Sequence, residues 1–237
     1  MPETYLPIQL PSKCLSYPDI KSSDVQIRPY NGEDEALLAQ INPINLERNF
    51  LVVMHRIMKG IDPSRLTLGD RFYVILWQYI NSYCEMVKVK GVCSHCLTSV
   101  EFDVDLRKLH VAQLPDDYHQ PVPIQLPSGK TVNLRLLTVA DEIEIEKYQQ
   151  QAGDSYLYRW ARSVDGVDPV KQAIEMRTWS SKDIGRIRLF HEQMDHGPDF
   201  SITMPCPKCK QDEEVIVPFR LDFILPVGSS LRNCFGT

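Results

Sequence analysis

Four cysteines in two Cys-x-x-Cys pairs, Cys93/Cys96 and Cys206/Cys209, constrain this chain more than any other feature. Each pair stands where a run of alternating apolar residues turns back on itself. Met86 to Val92 alternates into the first pair and Val100 to Leu106 alternates out of it; Phe200 to Met204 and Val215 to Leu221 flank the second pair in the same way. Two half-buried β-hairpins with cysteines at their turns are therefore expected. Pro218 has no N–H to offer a ladder, so the last of these strands should be an edge strand or carry a bulge.

The pairs lie 113 residues apart, and other features recur at nearly the same offset. Pro-Ile-Gln-Leu-Pro-Ser occurs at residues 7–12 and again at 123–128. Thr67-Leu-Gly-Asp70 corresponds to Ser180-Ser-Lys-Asp183, and Val74, Leu76 and Trp77 fall on Ile187, Leu189 and Phe190. Each half reads as an extended Pro-rich start, a helix, a variable helical stretch, a helix of about five turns, a strand, a Cys-x-x-Cys turn and a strand. A duplication accounts for this order. Charge agrees with it: residues 1–116 carry 12 basic and 14 acidic groups, residues 117–237 carry 14 and 17.

Helix starts are written locally. Asn31-x-x-Asp34 and Thr138-x-x-Asp141 each place a capping side chain three residues before an acid, where the first-turn N–H groups need acceptors and the helix dipole favours negative charge. After Thr138 the apolar stripe is narrow, Val139, Ile143 and Ile145 against Glu142, Glu144, Glu146 and Lys147. The helix beginning at Thr67 has almost no polar face, which makes it central to a core or covered by a partner. Residues 46–59 show apolar side chains at 50, 53, 54, 57 and 58, the pattern of a packed helix, with Gly60 as its stop and Pro63 beyond. Residues 1–24 and those from Pro226 onward show no period and read as arms that order only against something else.

The expected fold class is thus α+β, with two pseudo-repeated helical halves, each bearing a zinc-knuckle β-hairpin and joined at a shared four-cysteine site. The expected division is an extended arm over residues 1–24, a first repeat over 25–116 with knuckle 93–96, a second over 117–225 with knuckle 206–209, and a tail over 226–237.

With 237 residues, each half has chain enough for its own core. Hydrophobic residues at 43%, charged residues at 24% and a net charge of −5 are those of a globular protein, and neither half has the Lys/Arg excess that phosphate binding uses. No run of 18 apolar residues exists, and the opening Met1-Pro2-Glu3-Thr4-Tyr5 lacks the features of a signal peptide, so a protein made and assembled in a cytosol is expected. In such a compartment paired cysteines point to metal rather than to disulfides.

A structural Zn²⁺ takes four ligands, with thiolates at about 2.3 Å. One knuckle supplies two, so Cys93, Cys96, Cys206 and Cys209 together make the simplest closed site, a clasp between the halves. Four thiolates leave no open position for catalysis. A variant gives each knuckle its own ion with a histidine such as His95 or His110, although His95 also reads as a solvated turn residue. A thioredoxin-like redox role remains as an alternative that Cys206-Pro-Lys-Cys209 would spell, but both pairs lie between strands rather than at a helix N-terminus. Unmetallated thiols are a further alternative. Cys14, Cys84 and Cys234 stand alone and read as small buried or incidental residues. The acidic groups Glu142/Glu144/Glu146 and Asp212-Glu-Glu214 read as a solvated helix face and a charged hairpin turn. No catalytic or phosphate-binding motif is present, so no catalytic residues are assigned and no enzyme is expected.

Leu126-Pro-Ser-Gly-Lys-Thr-Val-Asn-Leu-Arg-Leu-Leu-Thr-Val-Ala-Asp-Glu142 leading into a helix, and a hairpin carrying Cys206-Pro-Lys-Cys209 followed by Val217-Pro-Phe, resemble the baseplate hub assembly proteins of T-even-like contractile-tailed bacteriophages. The resemblance covers residues 120–150 and 200–222 best and the first half less. It departs from the family pattern in separating the entry motif widely from the knuckle. It implies a non-enzymatic component of the virion's tail baseplate, assembled in the host cytoplasm. Its implied partners are other hub and tail proteins, with self-association open and with no small-molecule substrate, membrane or nucleic acid. The competing class is a zinc-ribbon nucleic-acid or transcription adaptor, for which Lys88, Lys90, Lys208 and Lys210 speak and the neighbouring acids Asp212 to Glu214 do not.

Overall fold

Asn31, Thr67, Thr138 and Ser180 cap four of the seven α-helices among the described residues, each accepting a hydrogen bond from the backbone N–H of the aspartate three residues on. At Asn31 and Thr138 that aspartate answers by accepting from the cap's own N–H, which closes a capping box. The computed structural model describes residues 4–41, 46–219, 223–226 and 234. In chain order the elements are β1 (Leu6–Pro7), β2 (Gln26–Ile27), α1 (Gly32–Leu38), α2 (Leu46–Ile57), β3 (Met58–Lys59) and α3 (Leu68–Ser82). They continue with β4 (Met86–Val92), β5 (Ser99–Asp105), β6 (Val111–Ala112), β7 (Val122–Gln125), β8 (Thr131–Leu134), α4 (Val139–Ala152) and α5 (Tyr156–Arg162). The last are α6 (Pro169–Met176), α7 (Ser181–Gln193), β9 (Gly197–Pro198), β10 (Ser201–Pro205) and β11 (Asp212–Ile216). The chain is mixed helix and small antiparallel sheet, the α+β class expected. The sheets are β1-β2-β3 and the pairs β4-β5, β7-β8, β6-β9 and β10-β11.

Several expectations need adjustment. α3 has 15 residues, about four turns rather than five. Its apolar surface faces inward, with Val74, Ile75, Leu76 and Tyr79 buried, so it is central to a core. α2 stops at Ile57, before Gly60, because Met58 and Lys59 leave the helix to pair with Ile27 and Gln26. Gly60 follows at φ +84, and a Cβ there would lie 2.0 Å from the Asp24 carbonyl oxygen. β11 ends at Ile216; Val217 N–H still donates to Phe200 O (2.7 Å), and Pro218 falls beyond the strand. Much of the first 24 residues, expected to order only against something else, packs on this chain: Ile8, Leu10 and Tyr17 are buried in its core. Just before the expected tail, Phe223 and Ile224 are buried in that core as well; of the tail itself, residues 226–237, all but Pro226 and Cys234 lie outside the described residues.

Among the described residues two apolar cores form. The first gathers β1 to β3, α2, α3 and both hairpins, so that Val100, Phe102, Cys206, Val215 and Val217 share it with Val53, Ile75 and Tyr79. The second runs from Leu114 to Phe190, with Leu134, Ile145, Tyr158, Ala161, Met176 and Ile187. Thr67 and Thr138 form an antiparallel bridge between them, and Val139 N–H donates to Leu66 O (2.9 Å).

Individual hydrogen bonds recur in the two halves. Ser12, closing the first Pro-Ile-Gln-Leu-Pro-Ser, donates its N–H to Asp70 Oδ1 (2.8 Å); Ser128, closing the second, donates to Asp183 Oδ1 (2.9 Å). Arg28 grips Asp34 with both terminal nitrogens, and Arg56 Nε adds a third bond. Arg135 grips Asp141 in the same way, with Arg162 in the place of Arg56. Burial alone would raise both carboxyls, but these bonds hold each below the usual aspartate range.

Candidate metal centre

The two hairpins meet at their tips. β4 and β5 pair in register from Met86↔Asp105 to Val92↔Ser99, which delivers Cys93 at the strand end. β10 and β11 pair from Ser201↔Ile216 to Pro205↔Asp212, which delivers Cys206. Both turns have one geometry. Cys93 N–H donates to Thr98 O (3.1 Å) and Leu97 N–H to Cys93 O (2.9 Å). Cys206 N–H donates to Gln211 O (2.8 Å) and Lys210 N–H to Cys206 O (3.0 Å). Leu97 and Lys210, one place past each pair, are both left-handed, at φ +54 and +65.

This arrangement gathers the four sulfurs. Cys93 Sγ lies 3.7 Å from Cys209 Sγ, Cys96 Sγ lies 4.0 Å from Cys206 Sγ, and all four fall within 4.8 Å of one another. The edge of a tetrahedron with metal–sulfur bonds of about 2.3 Å is about 3.8 Å. The spacing therefore fits a tetrahedral thiolate site and is far longer than a disulfide bond. Cys93 and Cys206 are fully buried and Cys96 and Cys209 half-buried, as expected of a site closed to solvent. His95 and His110 do not join the cluster. His95 Nε2 instead contacts the Asp212 carbonyl oxygen at 3.1 Å.

Four thiols this close cannot all ionise without a cation. Hydrogen bonds from the Thr98 hydroxyl and N–H draw Cys96 down to about 6. At Cys93 the Cys96 N–H pulls downward, but burial and the neighbouring thiols outweigh it and lift the group to about 12. A divalent cation at the centre would take all four as thiolates.

Around the cysteines the structure adds what the sequence did not reveal. Glu213 Oε2, on β11, accepts from both the N–H and the hydroxyl of Ser94 in the opposite turn, each at 2.9 Å. These bonds hold the Glu213 carboxyl below its ordinary value. The acidic run Asp212 to Glu214 is thus not only a charged turn. Nothing in one sequence signals a bond across 119 residues. The expectation that Cys84 and Cys234 stand alone is also corrected: they form a disulfide, Cα–Cα 5.1 Å, across 150 residues. Cys14 is a small buried residue, its thiol raised to about 11 by burial and by Asp70.

Fold and site together define a mixed α/β chain whose clustered chemistry, among the described residues, is four cysteines able to hold a metal ion. The chain belongs to the family described as T4 bacteriophage base plate protein, whose model matches residues 12–225. No curated protein and no solved structure matches it. Membership places the chain among bacteriophage baseplate proteins and indicates a structural role in the virion tail, alongside other tail proteins. Among the described residues no helix is long and apolar enough to cross a membrane.

Proposed function

We propose that this chain is a non-enzymatic structural or assembly protein of the baseplate hub of a contractile phage tail. In this reading it is assembled in the host cytoplasm, binds other baseplate and tail hub proteins, and is fixed in shape by one Zn²⁺ on Cys93, Cys96, Cys206 and Cys209. The family match supports the baseplate assignment. The observation that carries the metal is the convergence of four sulfurs, from turns 113 residues apart, at the spacing of a tetrahedral site. Thiolate ligands suit zinc better than the hard cations, which prefer oxygen.

Residues 25–116 and 117–225 are, in this reading, the two products of a duplication. The paired Ser12–Asp70 and Ser128–Asp183 bonds and the paired Arg–Asp–Arg clasps support it. The halves are units of descent more than of packing, since the second knuckle sits in the first core. The nucleic-acid adaptor is less well supported. Lys88 is paired with Glu101 and Asp103 and Lys90 lies 3.8 Å from Glu101, so the charge of two of the four lysines beside the knuckles is met by acids, while Lys210 Nζ donates to the neutral Pro207 O and keeps its charge.

Elemental analysis of the purified chain, together with co-expression with the other hub proteins of the same phage, tests this. About one zinc per chain and co-elution with at least one tail protein are expected. A metal-free chain would remove the zinc, and a monodisperse monomer that ignores every tail protein would remove the baseplate role.

A further inference from the structure

We infer that Glu213 is the positioning residue of the metal site, holding the first knuckle against the second so that the four sulfurs are gathered before an ion arrives. The inference rests on the reading of the four cysteines as metal ligands and goes beyond it by assigning how the half-sites are kept together. Neither half-site closes alone, because each turn supplies two sulfurs, and a chain that must bring distant turns together on binding binds more weakly than one already organised. Ser94 follows Cys93 directly, and both of its donors converge on Glu213 Oε2 at 2.9 Å. Glu213 is itself placed by the β10-β11 ladder, opposite Met204. The Cys93 end of one turn is thereby tied to the strand that follows Cys209. His95 Nε2 against Asp212 O, at 3.1 Å, is a second tie beside it.

The latch is one-sided. By the offset that matches Cys93 with Cys206, Ser94 corresponds to Pro207 and Glu213 to Val100. Proline has no N–H to give and valine no carboxylate to receive it, so the mirror-image bond cannot form. The asymmetry lets the two nearly identical turns meet in one arrangement only. It also explains why a carboxylate sits beside a cluster that will carry negative charge: its hydrogen-bonding task fixes it there.

Groups that orient metal-binding side chains through hydrogen bonds are worth about 10–100-fold in metal affinity. The test is zinc affinity of the full chain, measured by competition with a chromophoric chelator, with the thiolate-to-metal absorption of the Co²⁺-loaded chain as a second readout. Glu213→Ala is expected to bind zinc about 10–100-fold more weakly and to change the Co²⁺ spectrum, with its far-UV circular dichroism retained. Glu213→Gln, which keeps an acceptor oxygen, should recover most of the affinity. Ser94→Ala, which removes one of the two donors, should fall between, and keeps the test open if Glu213→Ala does not fold. Wild-type affinity in both Glu213→Ala and Ser94→Ala would overturn the role of Glu213 while leaving the metal site standing. A wild-type chain that binds neither zinc nor Co²⁺ would overturn both.

Discussion

His191 shows how a single side chain sets a pH dependence for the whole fold. It lines a cavity of about 180 Å³ with Thr67, Trp160 and His196, and its Nε2 is buried without a hydrogen-bond partner. Burial first, then the nearby Arg159 and Arg135 charges, hold it neutral down to about 4. Unfolded, a histidine protonates near 6.5. Between those values the unfolded chain takes up a proton that the folded chain refuses, so stability falls as pH drops from about 6.5 to about 4, by about 3 kcal/mol in all. Asp34 and Asp141 act lower: their carboxyls are depressed, so their contribution is complete above the ordinary aspartate value of about 4 and is lost only as pH falls through the lowered ones. His191→Phe should therefore flatten the urea midpoint between pH 7 and pH 5, while leaving the loss below pH 4 in place. An unchanged slope in that variant would show that the ring is not the group responsible. Asp141→Asn, which takes the charge from under Arg135 and Arg162, is expected to cost about 3 kcal/mol at pH 7 and much less at pH 2, measured as the same midpoint.

At the scale of the element, backbone conformation and close approach can be separated with two glycines. Gly60 and Gly129 are both left-handed, at φ +84 and +88, but a Cβ on Gly60 meets the Asp24 carbonyl oxygen at 2.0 Å, whereas one on Gly129 meets nothing within 4 Å. Gly129→Ala should cost about 1 kcal/mol from strain alone, and Gly60→Ala about 3 kcal/mol because β3 must also separate from the 24–25 backbone. Equal losses in thermal or urea denaturation would mean that the close approach carries no weight. The same elements show what was legible beforehand. Caps at Asn31, Thr67 and Thr138 and the alternation around both cysteine pairs are local signals, and each of those helices and hairpins is present. The two-residue strands β1 to β3 were not legible, since nothing in Leu6-Pro7 or Met58-Lys59 foretells a partner; Ile27 joins both through its neighbours in space. At the site, Cys-x-x-Cys spacing identified the four cysteines that the fold brings together. Ser94, Glu213 and the Cys84–Cys234 disulfide depend on separations of more than 100 residues and left no mark in the pattern.

For the whole molecule, what a metal ion on the four cysteines would do depends on which core the knuckles belong to. Zinc in such sites contributes folding free energy on the order of 10 kcal/mol, and it acts on whatever is packed against its ligands. Cys206, Val215 and Val217 are buried with Val100, Phe102 and Tyr79, so the second knuckle stabilises the first core although it follows the second in sequence. Tyr158, Ile187 and Phe190 belong to the other cluster, which meets the first through contacts such as the Thr67–Thr138 bridge, the Val139–Leu66 hydrogen bond and the Thr67–His196 contact. Regions with separate cores open separately. A strong chelator, or Cys96→Ser, should then loosen both hairpins at once. In hydrogen exchange, amides of β4, β5, β10 and β11 and of the C-terminal half of α3 should lose protection by orders of magnitude, while those of α5 and α7 change little. A loss spread evenly over both cores would mean that the bridge couples them into one cooperative unit. Protection unchanged in both hairpins would mean that the four sulfurs hold their places without an ion.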